Sequence, residues 1–399
     1  MKKLTRYLMF ALLYFSQGSI MAFFTALNAL YLQSFGLDMT RIGLIGTIAL
    51  IPFVLKIFLG ILSDKINLFG LGFRKPYIIL GLIIQSVCLI LATLINPGTQ
   101  FSLYAGLAFL MMTGMALYDT CTDGLALDTT PKEEEGIIQG FMVGGRAVNM
   151  VVVSAVIGLI AEYLSWTAAF IFLAGITLIP LPFVLSIKEQ IRSMERMFDW
   201  KAFSSFRNSS VIALGVLGAL YSFIINGANQ LVNPFLSEEF GISFSTAGFI
   251  ATLVGIGIVI DGLVGGRITD KIGQRKSVEY ALVIALISVG LLAAITSQWI
   301  VWILVFIFGF AFGFYETVYF AISMRVTDGR IAATMFSILM AVVNIGTGIG
   351  LGITGLMSDQ MGFRWSFGVI ALINLFAFAL LGLIFSRNKN MKKELEKAG

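Results

Sequence analysis

The chain has 399 residues, 58% of them hydrophobic and 12% charged, with a mean hydropathy of +0.93. Soluble domains carry about 25% charged residues, so a water-soluble globule of this length would have to bury nearly every face of every helix, and that class is excluded. The net charge of +5 comes from Lys and Arg between apolar runs, a membrane pattern rather than a nucleic-acid one. With no His in the chain, any proton switch near neutral pH falls to a carboxylate.

The opening Met1-Lys-Lys-Leu-Thr-Arg6 leads into an apolar run that continues to about Leu32. That is longer than the apolar core of a secretory signal, so it reads as a first membrane helix. Breaks at charges, Gly/Pro clusters and short polar loops then divide the chain into twelve spans. Their approximate limits are 7–33, 41–63, 75–95, 101–128, 136–162, 166–187, 209–235, 245–268, 277–296, 299–325, 331–357 and 363–386. The expected fold is an all-α membrane protein of two pseudo-symmetric six-helix bundles.

Orientation follows from charge. The N-terminus, the loops after even-numbered spans and the C-terminus carry 24 of the 27 Lys and Arg, counting Arg146 with its loop. The opposite loops carry only Arg41 and Arg364, and Lys56 lies inside a span. By the positive-inside rule both termini are expected in the cytoplasm of a plasma (inner) membrane protein. The longest connection, 188–208, interleaves Lys188, Arg192, Arg196, Lys201 and Arg207 with Met194, Met197, Phe198, Trp200 and Phe203. It reads as an interfacial amphipathic helix or as a basic linker. Either way it separates a first bundle, 1–187, from a second, 209–387, and residues 388–399 form a basic tail.

The two halves repeat. Phe35-Gly36-Leu37 corresponds to Phe240-Gly241-Ile242 at an offset of 205, and Asp64 to Asp270 at 206. Tyr118-Asp119-Thr120 corresponds to Tyr315-Glu316-Thr317, and Gly158, Glu162 and Phe170 to Gly355, Asp359 and Phe367, all at 197. Around the first of these offsets a short polar motif is written twice, Gly60-Ile-Leu-Ser-Asp64-Lys65 and Gly266-Arg-Ile-Thr-Asp270-Lys271. The second copy continues through Gly273, Arg275 and Lys276, whereas the first is stretched and reaches its Arg at Arg74. Internal duplication of a membrane bundle is the mark of a transporter whose halves meet around a substrate site.

Twelve spans, a six-plus-six repeat and this Gly-x-x-x-Asp-Lys loop resemble the major facilitator superfamily. The resemblance implies that the loop acts as a cytoplasmic latch, that spans one, four, seven and ten line a central cavity, and that one chain works as a monomer. A narrower resemblance covers residues 118–146. There Tyr-Asp-Thr-Cys-Thr-Asp-Gly ends a span, Pro131-Lys-Glu-Glu-Glu-Gly136 forms a loop, and Arg146 lies in the next helix. With Gly72-Phe-Arg-Lys-Pro-Tyr77 after span two, this is similar to the AmpG-type muropeptide permeases and the acetyl-coenzyme A transporters. The chain departs from that group at Tyr118, where a Gln is common.

Six ionisable residues lie well inside spans: Lys56, Asp119, Asp123, Arg146, Asp261 and Glu316. A lone charge at mid-bilayer costs about 2.5–3.5 kcal/mol on insertion scales, so these must face the bundle interior, pair or be neutralised. Asp119 and Asp123 share a helix face, and Arg146, about 15 Å into its span, lies between their depths. Arg146 and Asp261 read either as packing ion pairs, between helices or between bundles, or as substrate anchors. Lys56 needs an anionic solute or a carboxylate partner. Glu316, Asp119 and Asp123 are the proton-coupling candidates. Gln17, Asn226 and Asn229 are polar cavity candidates, and the resemblance sets Tyr118 and Tyr315 across the cavity from each other.

No nucleophile elbow, phosphate loop or metal-ligand spacing appears, so no catalysis, metal or cofactor is expected beyond a coupling ion, H+. The expected partners are a small solute and the lipid bilayer, not nucleic acid. The function expected from sequence is proton-coupled secondary transport by alternating access of an amphiphilic or anionic solute, such as a muropeptide or acyl-coenzyme A, by symport. A sugar, organic-acid or drug transporter, and a non-transporting scaffold on the same fold, are the alternatives.

Overall fold

The computed structural model describes residues 3–70, 72–130, 134–187, 209–326 and 332–385. The linker 188–208 and tail 388–399 inferred from sequence lie outside them. The described secondary structure is helical throughout. The helices are α1 (Lys3–Ala22), α2 (Asn28–Gln33), α3 (Met39–Val54), α4 (Lys56–Lys65), α5 (Lys75–Ala92), α6 (Phe101–Thr129), α7 (Glu135–Tyr163) and α8 (Trp166–Leu178). After them come α9 (Leu181–Leu185), α10 (Ser209–Phe240), α11 (Phe244–Ile272), α12 (Gln274–Ala293), α13 (Gln298–Val326), α14 (Ala332–Met361), α15 (Phe363–Ile373) and α16 (Leu375–Ile384). Among the described residues, eleven helical stretches are long and apolar enough to cross a membrane.

The remaining expected span, the second, is broken. Pro52 lies in the last turn of α3, and Leu55, with φ −83° and ψ 2°, separates α3 from α4. Proline lacks a donor and crowds the preceding turn, and the break begins three residues later. Its consequence is that Lys56 opens a new helix inside the span. The first span carries a different irregularity, a π turn at Phe23–Leu27 between α1 and α2. The repeat is visible in the backbone, since Gly36 and Gly241 both adopt positive φ, 79° and 61°. Each ends a helix in the left-handed conformation that favours glycine.

The chain folds as two compact units, residues Met1–Glu195 with Val232–Gly255, and Arg196–Leu231 with Ile256–Gly399. In the first unit helix pairs meet backbone to backbone. A Cβ on Gly81 of α5 would stand 2.5 Å from the Gly114 carbonyl of α6, and one on Gly145 of α7 would stand 2.2 Å from the Ala11 carbonyl of α1. Small residues permit this approach in apolar surroundings, where dispersion and weak polar contacts replace the hydrophobic effect.

The segment Val232–Gly255 is fastened into the first unit by polar contacts. Asn233 donates to the Ala26 carbonyl at 2.6 Å and Thr252 to the Val151 carbonyl at 2.6 Å. The Glu162 carboxylate accepts from the Ser245 amide at 2.8 Å and from its hydroxyl, capping the first turn of α11 with a side chain from α7. Beneath it, a Cβ on Gly158 would lie 2.5 Å from the Phe244 carbonyl. Loss of a helix cap is destabilising, so Glu162→Ala is expected to lower the melting temperature in detergent by a few degrees. An unchanged melting curve would show that this cap carries no stability.

In the second unit, Gly346 of α14 packs on Ala219 of α10, where a Cβ would stand 2.2 Å from the Ala219 carbonyl. The break between α15 and α16 is filled by Asn374, which donates to the Leu282 carbonyl at 2.6 Å and accepts from the Tyr315 hydroxyl at 3.4 Å.

Candidate functional site

Three helices of the first unit converge on one charged network. Helix α1 contributes Tyr14 and Gln17, three residues apart and so on one face. The break at Leu55 brings Lys56 in from α4, and α6 contributes Asp119 and Asp123. Lys56 Nζ is ion-paired to Asp119 Oδ2 and lies 3.5 Å from Asp123 Oδ2. Gln17 donates to Asp119 Oδ1 at 2.6 Å, and the Tyr14 hydroxyl donates to Asp123 Oδ1. The two carboxylates differ in setting: the Asp119 side chain is 4% exposed and that of Asp123 42%. Asp119 is thus the buried anion that requires its cation, and Asp123 is the open one.

Arg146 does not bridge these aspartates. It is half-buried on α7, where a Cβ on Gly18 would stand 2.9 Å from its carbonyl. Its charge acts on Tyr14, yet it makes no hydrogen bond or ion pair among the described residues. The sequence leaves Lys56 an anionic solute or a carboxylate as its partner, and in the structure Lys56 is the cation between two carboxylates. Lys56 takes that role because the helix break turns it towards α6, and Arg146 is left with an uncommitted guanidinium.

In the second unit, Asp261 likewise belongs to no ion pair among the described residues. It accepts from Thr317 at 2.7 Å, and Glu316, half-buried on the same helix as Thr317, acts on it electrostatically. Tyr118 and Tyr315 do not line an open space. Both are buried at 1% exposure, Tyr118 against Gly81 of α5 and Tyr315 against Asn374. Asn226 bonds the Ser222 carbonyl at 3.1 Å and reaches Thr347 of α14 at 3.5 Å, so it joins helices. Asn229 is half-buried. Sequence reasoning missed Tyr14 and Thr317. The three-residue spacing of Tyr14 from Gln17 and the adjacency of Thr317 to Glu316 were the available signals.

The repeated loop motif is placed as follows. Arg74 is 5% exposed, bonds the Ser63 hydroxyl and reaches Asp128 at 3.4 Å. Gly124 makes room for it, since a Cβ there would stand 2.5 Å from the guanidinium carbon. Gly60 lies on α4 and Lys65 ends it, exposed. Gly273 caps α12 with φ 82°, Arg275 pairs with Glu279 at 3.2 Å, and Lys271 and Lys276 are exposed. The side chains of Asp64, Gly266 and Asp270 lie outside the description. In the connection before α7, Lys3 and Arg6 both pair with Glu134. The hydrogen bond from Lys3 holds the Glu134 carboxyl below the usual glutamate range. Among the described residues no group of three or more His, Cys, Asp or Glu is placed to hold a metal ion.

Apolar helices in this number, with charged side chains gathered between them, define an integral multi-pass membrane protein of transporter architecture. Residues 7–231 and 214–399 match the family model of the Major Facilitator Superfamily, and the chain belongs to that family. It is 25% identical over 253 residues to the sialic acid transporter NanX of Escherichia coli (strain K12), a match covering 61% of this chain and 59% of that protein. It is 22% identical over 389 residues to a Rickettsia bellii protein assigned by name to the AmpG transporters, covering 93% of this chain and 92% of that one. Among solved structures, a bacterial homologue of the human lysosomal transporter Spinster superposes with a TM-score of 0.76 at 18% identity. That superposition covers 96% of this chain and 95% of the other.

Proposed function

We propose that this chain is a secondary active transporter that moves an anionic or amphiphilic solute by alternating access, coupled to protons, with both termini in the cytoplasm. The observation that carries the reading is Arg146. An arginine inside a membrane span is costly unless it is paired or faces water, and this one has no partner among the described residues while Lys56 already satisfies the neighbouring carboxylates. Its fork of donors suits a carboxylate or phosphate. The name of one relative, a sialic acid transporter, is compatible with an acidic solute. The Lys and Arg distribution supports the orientation.

Coupling follows from charge balance. An anion at Arg146 and a proton on the Tyr14–Asp123–Lys56–Asp119 network together add no net charge to a low-dielectric space. Their binding is therefore linked, and linkage is reciprocal. In the internal repeat, Glu316 stands at the position of Asp119.

The test is uptake into liposomes loaded with a pH-sensitive dye, across muropeptides, acyl-coenzyme A esters, sialic acid, neutral sugars and cationic drugs. A charge-assisted hydrogen bond is worth about 1.5–3 kcal/mol, or roughly 10–100-fold in affinity. Arg146→Ala is therefore expected to raise KM for an acidic solute by that factor, with partial recovery in Arg146→Lys. Equal KM values for native and Arg146→Ala, or transport of neutral solutes alone, would overturn the reading.

A further inference from the structure

The second unit contains a carboxylate that solute binding at Arg146 does not use. Asp261 sits in the middle of α11 with 0% exposure. Its Oδ2 accepts from the Thr317 hydroxyl at 2.7 Å, and its Oδ1 is buried with no hydrogen-bond partner among the described residues. The recess around it is built from glycine. A Cβ on Gly265 would stand 2.1 Å from Oδ1, and one on Gly313 of α13 would stand 2.9 Å from the Asp261 Cβ. Any side chain at either position would close the space around the carboxylate.

No described cation compensates this group. From α13 the titratable neighbour is Glu316, which adds negative field, with the Tyr221 phenol of α10 behind it. Along α11 itself the nearest basic residue is Arg267, more than a turn away and exposed. A buried carboxylate facing a second carboxylate, with one hydroxyl and one orphan oxygen, is incomplete until positive charge arrives. An alkali cation needs several oxygen ligands at once. A proton needs one oxygen, and Oδ1 has no hydrogen-bond partner among the described residues.

We propose that Asp261 is the proton-binding carboxyl of the second unit, with Thr317 positioning it. The proton bonds to Oδ1 while Oδ2 keeps the Thr317 hydrogen bond, and its release returns the carboxylate. This rests on the reading of the chain as a coupled transporter, but its first test needs no solute.

Dicyclohexylcarbodiimide adds across the O–H of a protonated carboxyl in an apolar setting, and the adduct rearranges to a stable N-acylurea. Peptide mass spectrometry of the native protein in liposomes is expected to find Asp261 labelled at pH 7 at least tenfold more than Asp119. That label should fall at least tenfold as the pH is raised to 9.5. Thr317→Val should displace the pH midpoint of labelling by about one unit, which loss of a merely structural contact would not do, and Asp261→Glu should retain the label. Absence of label at Asp261 at every pH, or its suppression by Na+ at constant pH, would overturn the proposal; an unmoved midpoint in Thr317→Val would remove Thr317 from it. With a solute in hand, Asp261→Asn should lose at least tenfold in solute-driven proton movement. Full proton movement in that variant would sink the proton assignment and leave the transport reading intact. A native chain that moves no solute would fail the transport reading, while the labelling would still decide the site.

Discussion

Lys56→Ala is expected to destabilise the protein by about 3–5 kcal/mol, the cost of leaving a buried charge uncompensated, and to abolish solute movement. The energy sits on the Asp119 side of the network. Asp119 is 4% exposed and in direct contact with Lys56, whereas Asp123 is 42% exposed and 3.5 Å away. Water screens the second pair, so it contributes on the scale of a surface ion pair, about 0–1 kcal/mol. The proof is a double-mutant cycle in detergent, read by melting temperature. Asp119→Asn added to Lys56→Ala should restore most of the lost stability, because the orphaned charge is gone, yet transport should stay absent. If Lys56→Ala melts with the native protein, the pair does not carry the fold and the network must be redrawn.

Gly145→Ala should have the second large effect. The added Cβ would stand 2.2 Å from the Ala11 carbonyl, a backbone atom that no rotamer change can move aside. Helices α1 and α7 must then separate. Overpacking of this kind costs about 1–3 kcal/mol, and here it also draws Arg146 away from Tyr14 and Gln17 on α1. Both a lower melting temperature and a raised KM for the proposed acidic solute are expected. The neighbouring Gly144 supplies the control, since a Cβ there meets nothing within 4 Å, and Gly144→Ala should behave as native. If both variants behave alike, close approach at Gly145 is not what sets the α1–α7 distance.

Much of the fold was legible because insertion into a bilayer is dictated by local composition. A run of about 20 apolar residues spans whatever its neighbours do. The break at Leu55 was less legible. Pro52 was visible in the sequence, but a proline inside a membrane helix is often accommodated without interruption, and only the backbone shows that α4 starts afresh at Lys56. Depth along each span was readable at 1.5 Å per residue, and Lys56 does meet Asp119 and Asp123. Depth does not give rotation about the helix axis, and rotation decides partners. Tyr118 and Tyr315 illustrate the same point: each adjoins a candidate carboxylate in sequence, and each turns about 100° away from it into helix packing.

The sequence by itself determined the number of spans, the internal repeat and the set of ionisable residues buried in the membrane, since each follows from composition and spacing along one chain. The pairing of Lys56 with Asp119, the lack of a partner for Arg146 among the described residues and the contact of Asp261 with Thr317 are settled by the packed helices. Those pairings depend on where separate helices touch. Contacts of a few ångströms between backbones at Gly18, Gly81, Gly145 and Gly313 set that geometry, and they have no trace in the hydropathy of any single span.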